Sequence, residues 1–161
     1  MNLYDYAIKM EQDGARYYNE QAEKNKKHAI GRVFSFLAQS EERHAILLQE
    51  RVKNQKIDLN ELEVQPDEAN IFTAIDEFKA DVTSIPRQLD VYEMALDMEQ
   101  KSIDLYCGML EKATSEADQK FLQFLIDQEK QHHMLFDTLL TLVRRPEEWV
   151  EDAEFGPRED Y

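Results

Sequence analysis

Six residues of this 161-residue chain are of the types that bind metal, and they occur in duplicate. Glu11 recurs 88 residues on as Glu99, and the Glu-x-x-His of Glu41 and His44 recurs at the same offset as Glu129 and His132. The flanks repeat with them, as Tyr4/Tyr92, Met10/Met98, Tyr18/Tyr106, Phe36/Phe124 and Leu47/Leu135. One Glu-x-x-His arises by chance in any charged helix. Two of them, each 30 residues after a lone Glu and related by a single offset, point to a built site. One Glu from each of two helices, plus a Glu-x-x-His from each of two others, is an inward-facing set that holds two metal ions. Carboxylate oxygen and imidazole nitrogen suit iron or manganese, with zinc as an alternative occupant. Four ionised carboxylates cancel two divalent ions, and without metal they would repel one another until some took up protons. The expected arrangement has Glu41 and Glu129 bridging, Glu11 with His44 completing one metal, and Glu99 with His132 completing the other.

Helices must position these groups. Asn2 is a good N-cap with Asp5 in capping-box spacing, and the repeat offers Asp90 and Glu93 in the same roles. These acids are read as caps, not ligands. The first helix is expected to run to about Lys24, followed by a polar turn at 25–28. The second carries Phe34, Leu37, Glu41, His44 and Leu48 on one face at spacings of three and four. The third spans about Val91–Lys112. A turn at Thr114-Ser115, with Ser115 and Asp118 in cap spacing, opens the fourth, whose inner face reads Leu122, Leu125, Glu129, His132 and Phe136. His133 also shares a face with Glu129, but the repeat matches His132 to His44 and His133 to Ala45. His28 falls in the turn.

Glu11 and Glu41 are equally far from Lys26 in the first turn, so an antiparallel hairpin sets both roughly 20 Å below it. Glu99 and Glu129 are likewise equidistant from Thr114. Two such half-sites across a pseudo-twofold axis close a dinuclear centre. Tyr18 and Tyr106 follow the lone Glu ligands by two turns on the same face, where each could hydrogen-bond a ligand carboxylate or simply fill the core. The stretch from Asn54 to Leu89 is too long for a tight loop. The repeat is read as starting the third helix at the same end as the first, with this crossover returning along the bundle. Ile71, Phe72, Ile75, Phe78 and Val82 predict a short amphipathic helix over about Asp67–Val82. The fold expected is an all-α four-helix bundle with one long crossover, residues 1–143. The pattern breaks at Arg144-Arg145-Pro146, leaving an acidic tail, 144–161. Its Trp149, Phe155 and Tyr161 suggest docking on the bundle or a neighbouring subunit, with disorder as the plainer alternative.

Composition sets limits on partners. Nineteen Lys and Arg against 34 Asp and Glu give a net charge of -15, which repels nucleic acid and anionic membranes and favours cations. Most of that charge serves only as a solvated surface. The single cysteine, Cys107, excludes an internal disulfide framework or a four-cysteine iron or zinc knuckle, and a buried thiol is expected there. Neither a membrane-length apolar run nor a signal-like N-terminus is present, so a cytoplasmic location is expected.

The doubled ligand motif resembles that of ferritin-like di-iron carboxylate proteins, and in particular the bundle domain of the rubrerythrin family, over about residues 2–143. The resemblance implies a ferritin-like fold, two iron ions, and an oxidoreductase acting on peroxide or dioxygen, as in defence against oxidative stress. Rubrerythrins of the familiar kind also carry a rubredoxin domain with paired cysteines. With one cysteine here, electrons are expected from an external donor such as a rubredoxin-type protein. Family members typically place a further carboxylate one turn after the third-helix ligand, and this chain departs from that pattern with Ser102. The six ligands look equally like a bacterioferritin, but Glu42 stands where that family has its haem-binding Met. Three readings follow: the oxidoreductase, expected as a homodimer; a ferritin-type iron-storage protein with ferroxidase activity, expected as a large cage; and a metal-binding structural bundle without turnover.

Overall fold

The computed structural model describes residues 2–53 and 66–155, with backbone alone at 66–70, 72 and 145–155. Five α-helices appear in it: α1 (Leu3–Lys24), α2 (Ala29–Val52), α3 (Pro66–Ala80), α4 (Leu89–Lys112) and α5 (Glu116–Phe155), with a 3-10 turn at Val82–Ser84. Strands are absent among the described residues. The pairs α1/α2 and α4/α5 form two antiparallel hairpins, and α3 packs against α5 and α2.

Local chemistry explains most boundaries. The Asn2 side chain accepts the Asp5 N–H at 2.9 Å, and Ser115 Oγ accepts the Asp118 N–H at 3.1 Å, so both predicted caps form. α1 stops where Asn25 turns its own amide back onto the Gln21 carbonyl (2.8 Å). Gly31 is required next to that turn, because a Cβ there would lie 2.3 Å from the Asn25 carbonyl oxygen.

The second hairpin departs from its copy. α4 begins at Leu89, so Asp90 sits inside the first turn and is not the cap. The cause is Gln88, whose carbonyl already accepts the Tyr92 N–H (3.1 Å) and whose side chain is tied to Asn25 (2.6 Å). Glu93, expected to pair with that cap, instead accepts from Arg144. α5 also continues through Pro146 to Phe155, where a break was expected at 144–146. Proline deletes one backbone bond, but Arg144-Arg145 before it and Glu147-Glu148 after it are strong helix formers. The side chains of Trp149 and Phe155, and all of Tyr161, lie outside the described residues.

α4 starts at the opposite end from α1, contrary to the expectation from the repeat. Tyr17 donates to the Val91 carbonyl (3.2 Å), and Ala7 shares a cluster with Met109, so the two helices run antiparallel. A repeated hairpin fixes geometry within each copy, but not the direction of one copy relative to the other. α2 ends beside the start of α1, and the crossover carries the chain back along the bundle. α3 accounts for part of that distance, its 15 residues spanning roughly 22 Å. It buries Ile71, Ala74, Ile75 and Phe78 along one stripe; the Phe72 side chain and residues 54–65 lie outside the described residues. The pseudo-twofold axis therefore crosses the bundle at right angles, through the layer that holds the ligand-type residues.

Candidate metal centre

Four helices bring the six predicted residues into one layer. α1 supplies Glu11, α2 Glu41 and His44, α4 Glu99, and α5 Glu129 and His132, and all six are buried. Glu11, Glu41, His44 and Glu129 each offer a ligand atom within 4.8 Å of the others, and so do Glu41, Glu99, Glu129 and His132. Glu41 and Glu129 belong to both groups. Each imidazole turns Nδ1 inward: His44 Nδ1 lies 2.8 Å from Glu129, 3.5 Å from Glu11 and 3.7 Å from Glu41. His132 Nδ1 lies 3.2 Å from Glu41, 3.4 Å from Glu99 and 3.8 Å from Glu129. The two rings face each other at 6.1 Å, 18° from parallel.

Both tyrosines join this layer, from opposite sides. Tyr18 donates to Glu99 and Tyr106 donates to Glu11, so each serves the lone Glu of the other copy. The antiparallel arrangement of α1 and α4 dictates that exchange. Burial, and then the adjacent carboxylate charge, pushes both phenols well above their ordinary pKa, which keeps them protonated donors.

The electrostatics without metal are uneven. Burial raises Glu41 and Glu129 well above the usual carboxylate range, and the surrounding carboxylate charges add to the effect. Burial acts the same way on Glu99, but the His132 charge and its hydrogen bonds outweigh it and pull Glu99 down to about 2. Glu11 is lowered against its burial by bonds from Glu41 and the charge of His44. Burial opposes charge on the imidazoles too, yet the facing carboxylates lift His44 to about 9 and His132 to about 10. Without metal the layer thus pushes Glu41 and Glu129 toward the protonated form, and Glu11, Glu99 and both imidazoles toward the charged form.

Several buried atoms are nonetheless without a hydrogen-bond partner. These are Glu11 Oε2, Glu99 Oε2, both Glu129 oxygens and both His44 nitrogens. The 2.8 Å approach of His44 to Glu129 is close but poorly aligned for a bond. Orphaned buried polar atoms are costly and rare, and here they belong to residues of the two overlapping groups. Four carboxylates and two imidazoles with lone pairs aimed inward are compatible with a pair of divalent cations.

Neighbouring residues complete the picture. Ser102 binds the Met98 carbonyl (3.1 Å) and approaches the Met10 sulfur (3.6 Å). Sequence reasoning singled it out only as a departure from a family pattern. Its repeat partner is Gly14, so the 88-residue offset pairs two small residues beside the layer. Cys107 is half-buried rather than fully buried, at the edge of a hydrophobic cluster. His28 caps α2 without a side-chain bond. Among the described residues, no helix is long and apolar enough to cross a membrane.

An antiparallel bundle with a long crossover and a duplicated carboxylate-histidine layer defines a ferritin-like protein of the di-iron class. The Rubrerythrin family model matches residues 2–140, and the chain belongs to that family. Comparisons with curated proteins and with solved structures returned no match.

Proposed function

We propose that this chain is a rubrerythrin-like non-haem di-iron oxidoreductase that reduces peroxide or dioxygen with electrons from a separate donor protein. The observation that carries the reading is the pair of overlapping ligand clusters sharing Glu41 and Glu129, with buried polar atoms lacking a hydrogen-bond partner in both. Glu11 and His44 would hold one iron, Glu99 and His132 the other, and the shared carboxylates would span them. When bound, two ferrous ions would supply the two electrons, one each, that reductive cleavage of a peroxide bond requires along with two protons. The protein's part is to exclude bulk water by burial and to fix the outer carboxylates through the Tyr18 and Tyr106 hydroxyls. A rubredoxin-type donor belongs to the same proposal, because a single cysteine, Cys107, cannot ligate a rubredoxin-type iron within this sequence; a homodimer is proposed with it.

Ser102 favours a second reading. Its hydroxyl is engaged with the Met98 carbonyl and Met10, and it offers no carboxylate to a moving iron. The six-residue set then suits a ferritin-type iron-binding protein with ferroxidase activity. Stopped-flow absorbance of the anaerobic diferrous protein separates the two. The oxidoreductase is oxidised faster by hydrogen peroxide than by dioxygen and turns over only with added reductant. Faster oxidation by dioxygen, ferric mineral growth on further iron addition and a particle of cage size would establish the storage reading instead.

A further inference from the structure

A cleft of about 540 Å³ opens between α1 and α4 and ends on Glu41 and Glu99. It straddles the pseudo-twofold axis, so its walls carry two repeat pairs, Met10 with Met98 and Gly14 with Ser102, which meet crosswise: Ser102 approaches the Met10 sulfur (3.6 Å) and Gly14 lies against the Met98 methyl. Small residues at that second pair keep the floor open. A Cβ added to Gly14 would already touch Glu41 Cγ and Met98 Cε at 3.8 Å. A larger depression of about 670 Å³ on the other side of α1 is lined by polar residues such as Gln12, Arg16 and Glu20, and by none of the six ligand-type residues.

Dioxygen and peroxide are close in size to water, whose share of liquid volume is about 30 Å³. The cleft is far larger than either needs and falls in the range of about 300–1,000 Å³ usual for small-molecule sites. Its upper walls are the Tyr6 and Tyr17 rings and the two thioethers, surfaces that favour aromatic ligands. Each lysine at the rim has a carboxylate beside it, Lys9 with Asp13 (2.8 Å) and Lys101 with Asp97 (2.9 Å), so the rim carries no net positive charge from these pairs. With carboxylates at the floor and a net charge of -15, an anion is disfavoured.

We infer that the α1/α4 cleft binds a neutral aromatic molecule of one or two rings and holds it against the carboxylate layer. This deepens the oxidoreductase reading by giving the same site an organic ligand, but the binding itself needs no turnover. The test uses the full chain with 13C-labelled methionine methyls, metal-free and zinc-loaded, titrated with 1-naphthol. The Met10 and Met98 methyls should shift saturably, with Kd on the order of 0.1 mM for about eleven non-hydrogen atoms. Met134, exposed on α5, should not move. Ser102→Leu should abolish the shifts by filling the floor. Tyr6→Ala, at an exposed rim position that folding does not need, should weaken binding roughly threefold to tenfold. Failure to saturate, equal shifts at Met134, or equal binding of 1-naphthalenesulfonate would overturn the inference. Zinc uptake is measured in the same samples. Zinc binding without naphthol binding removes the cleft proposal alone, and the reverse result removes the metal reading alone.

Discussion

The bundle has two hydrophobic ends separated by one polar layer, and the ends are unequal. Among the described residues, nineteen at the first-turn end form a buried cluster that includes α3 and the stacked rings of Tyr18, Phe34 and Phe136. At the other end nine form a cluster around Tyr106, Phe121 and Leu122. The polar layer between them is nearly symmetric, and Tyr18 and Tyr106 reach into it from the two clusters in equivalent ways. Duplication thus sets the site, while the described part of the unduplicated crossover, α3, adds hydrophobic support at the first-turn end. Stability and chemistry are carried by different parts of the chain.

The largest effect should come from unequal packing. Phe136→Ala and Phe121→Ala remove equally buried rings, each at a cost of about 3–5 kcal/mol. Phe136 should fall near the top of that range because it also loses two ring partners, and Phe121 near the bottom. Urea denaturation of the metal-free proteins measures both, and an equal or reversed order would refute the comparison.

Metal should stabilise the chain through the layer common to both ends. At free metal 100-fold above Kd, binding that occurs only in the folded state contributes about 2.7 kcal/mol per site, seen as a higher Tm that a chelator reverses. Metal must displace the protons held by His44 (about 9) and His132 (about 10). Affinity should therefore rise with pH up to that range and fall as pH is lowered. Manganese titrations across pH check the sign, and pH-independent affinity would contradict the protonation described here.

Smaller changes sharpen the symmetry of the layer. Tyr18→Phe and Tyr106→Phe each delete a hydrogen bond to a charged, buried carboxylate, at about 1.5–3 kcal/mol. Their costs should agree within about 0.5 kcal/mol, and a wide gap would show that the two halves are not equivalent. Smallest of all, Asn2→Ala removes the α1 cap for about 1 kcal/mol, read as a shift of the denaturation midpoint.

The sequence made the ligand layer legible because duplication is a signal within one chain. Glu11 alone is an ordinary helical acid; Glu11 with Glu99 at the offset shared by both Glu-x-x-His pairs is not. Helix caps at Asn2 and Ser115 were legible because their bonds are local. The direction of α4 was not, since nothing in a hairpin's sequence records which way its copy points. That direction sends Tyr18 to Glu99 and Tyr106 to Glu11, and it brings Gly14 against Met98 and Ser102 against Met10 in the walls of one cleft. The start of α4 was misread because Gln88 is anchored by Asn25, 63 positions away, and a tertiary contact of that kind leaves no local pattern.

Metal content tests the central claim most directly. Elemental analysis of iron-loaded protein should give two ions per chain, and His44→Ala and His132→Ala should each reduce that to about one. One ion or none in the unmodified protein, or two retained in both variants, would contradict a dinuclear centre built from Glu11, Glu41, His44, Glu99, Glu129 and His132.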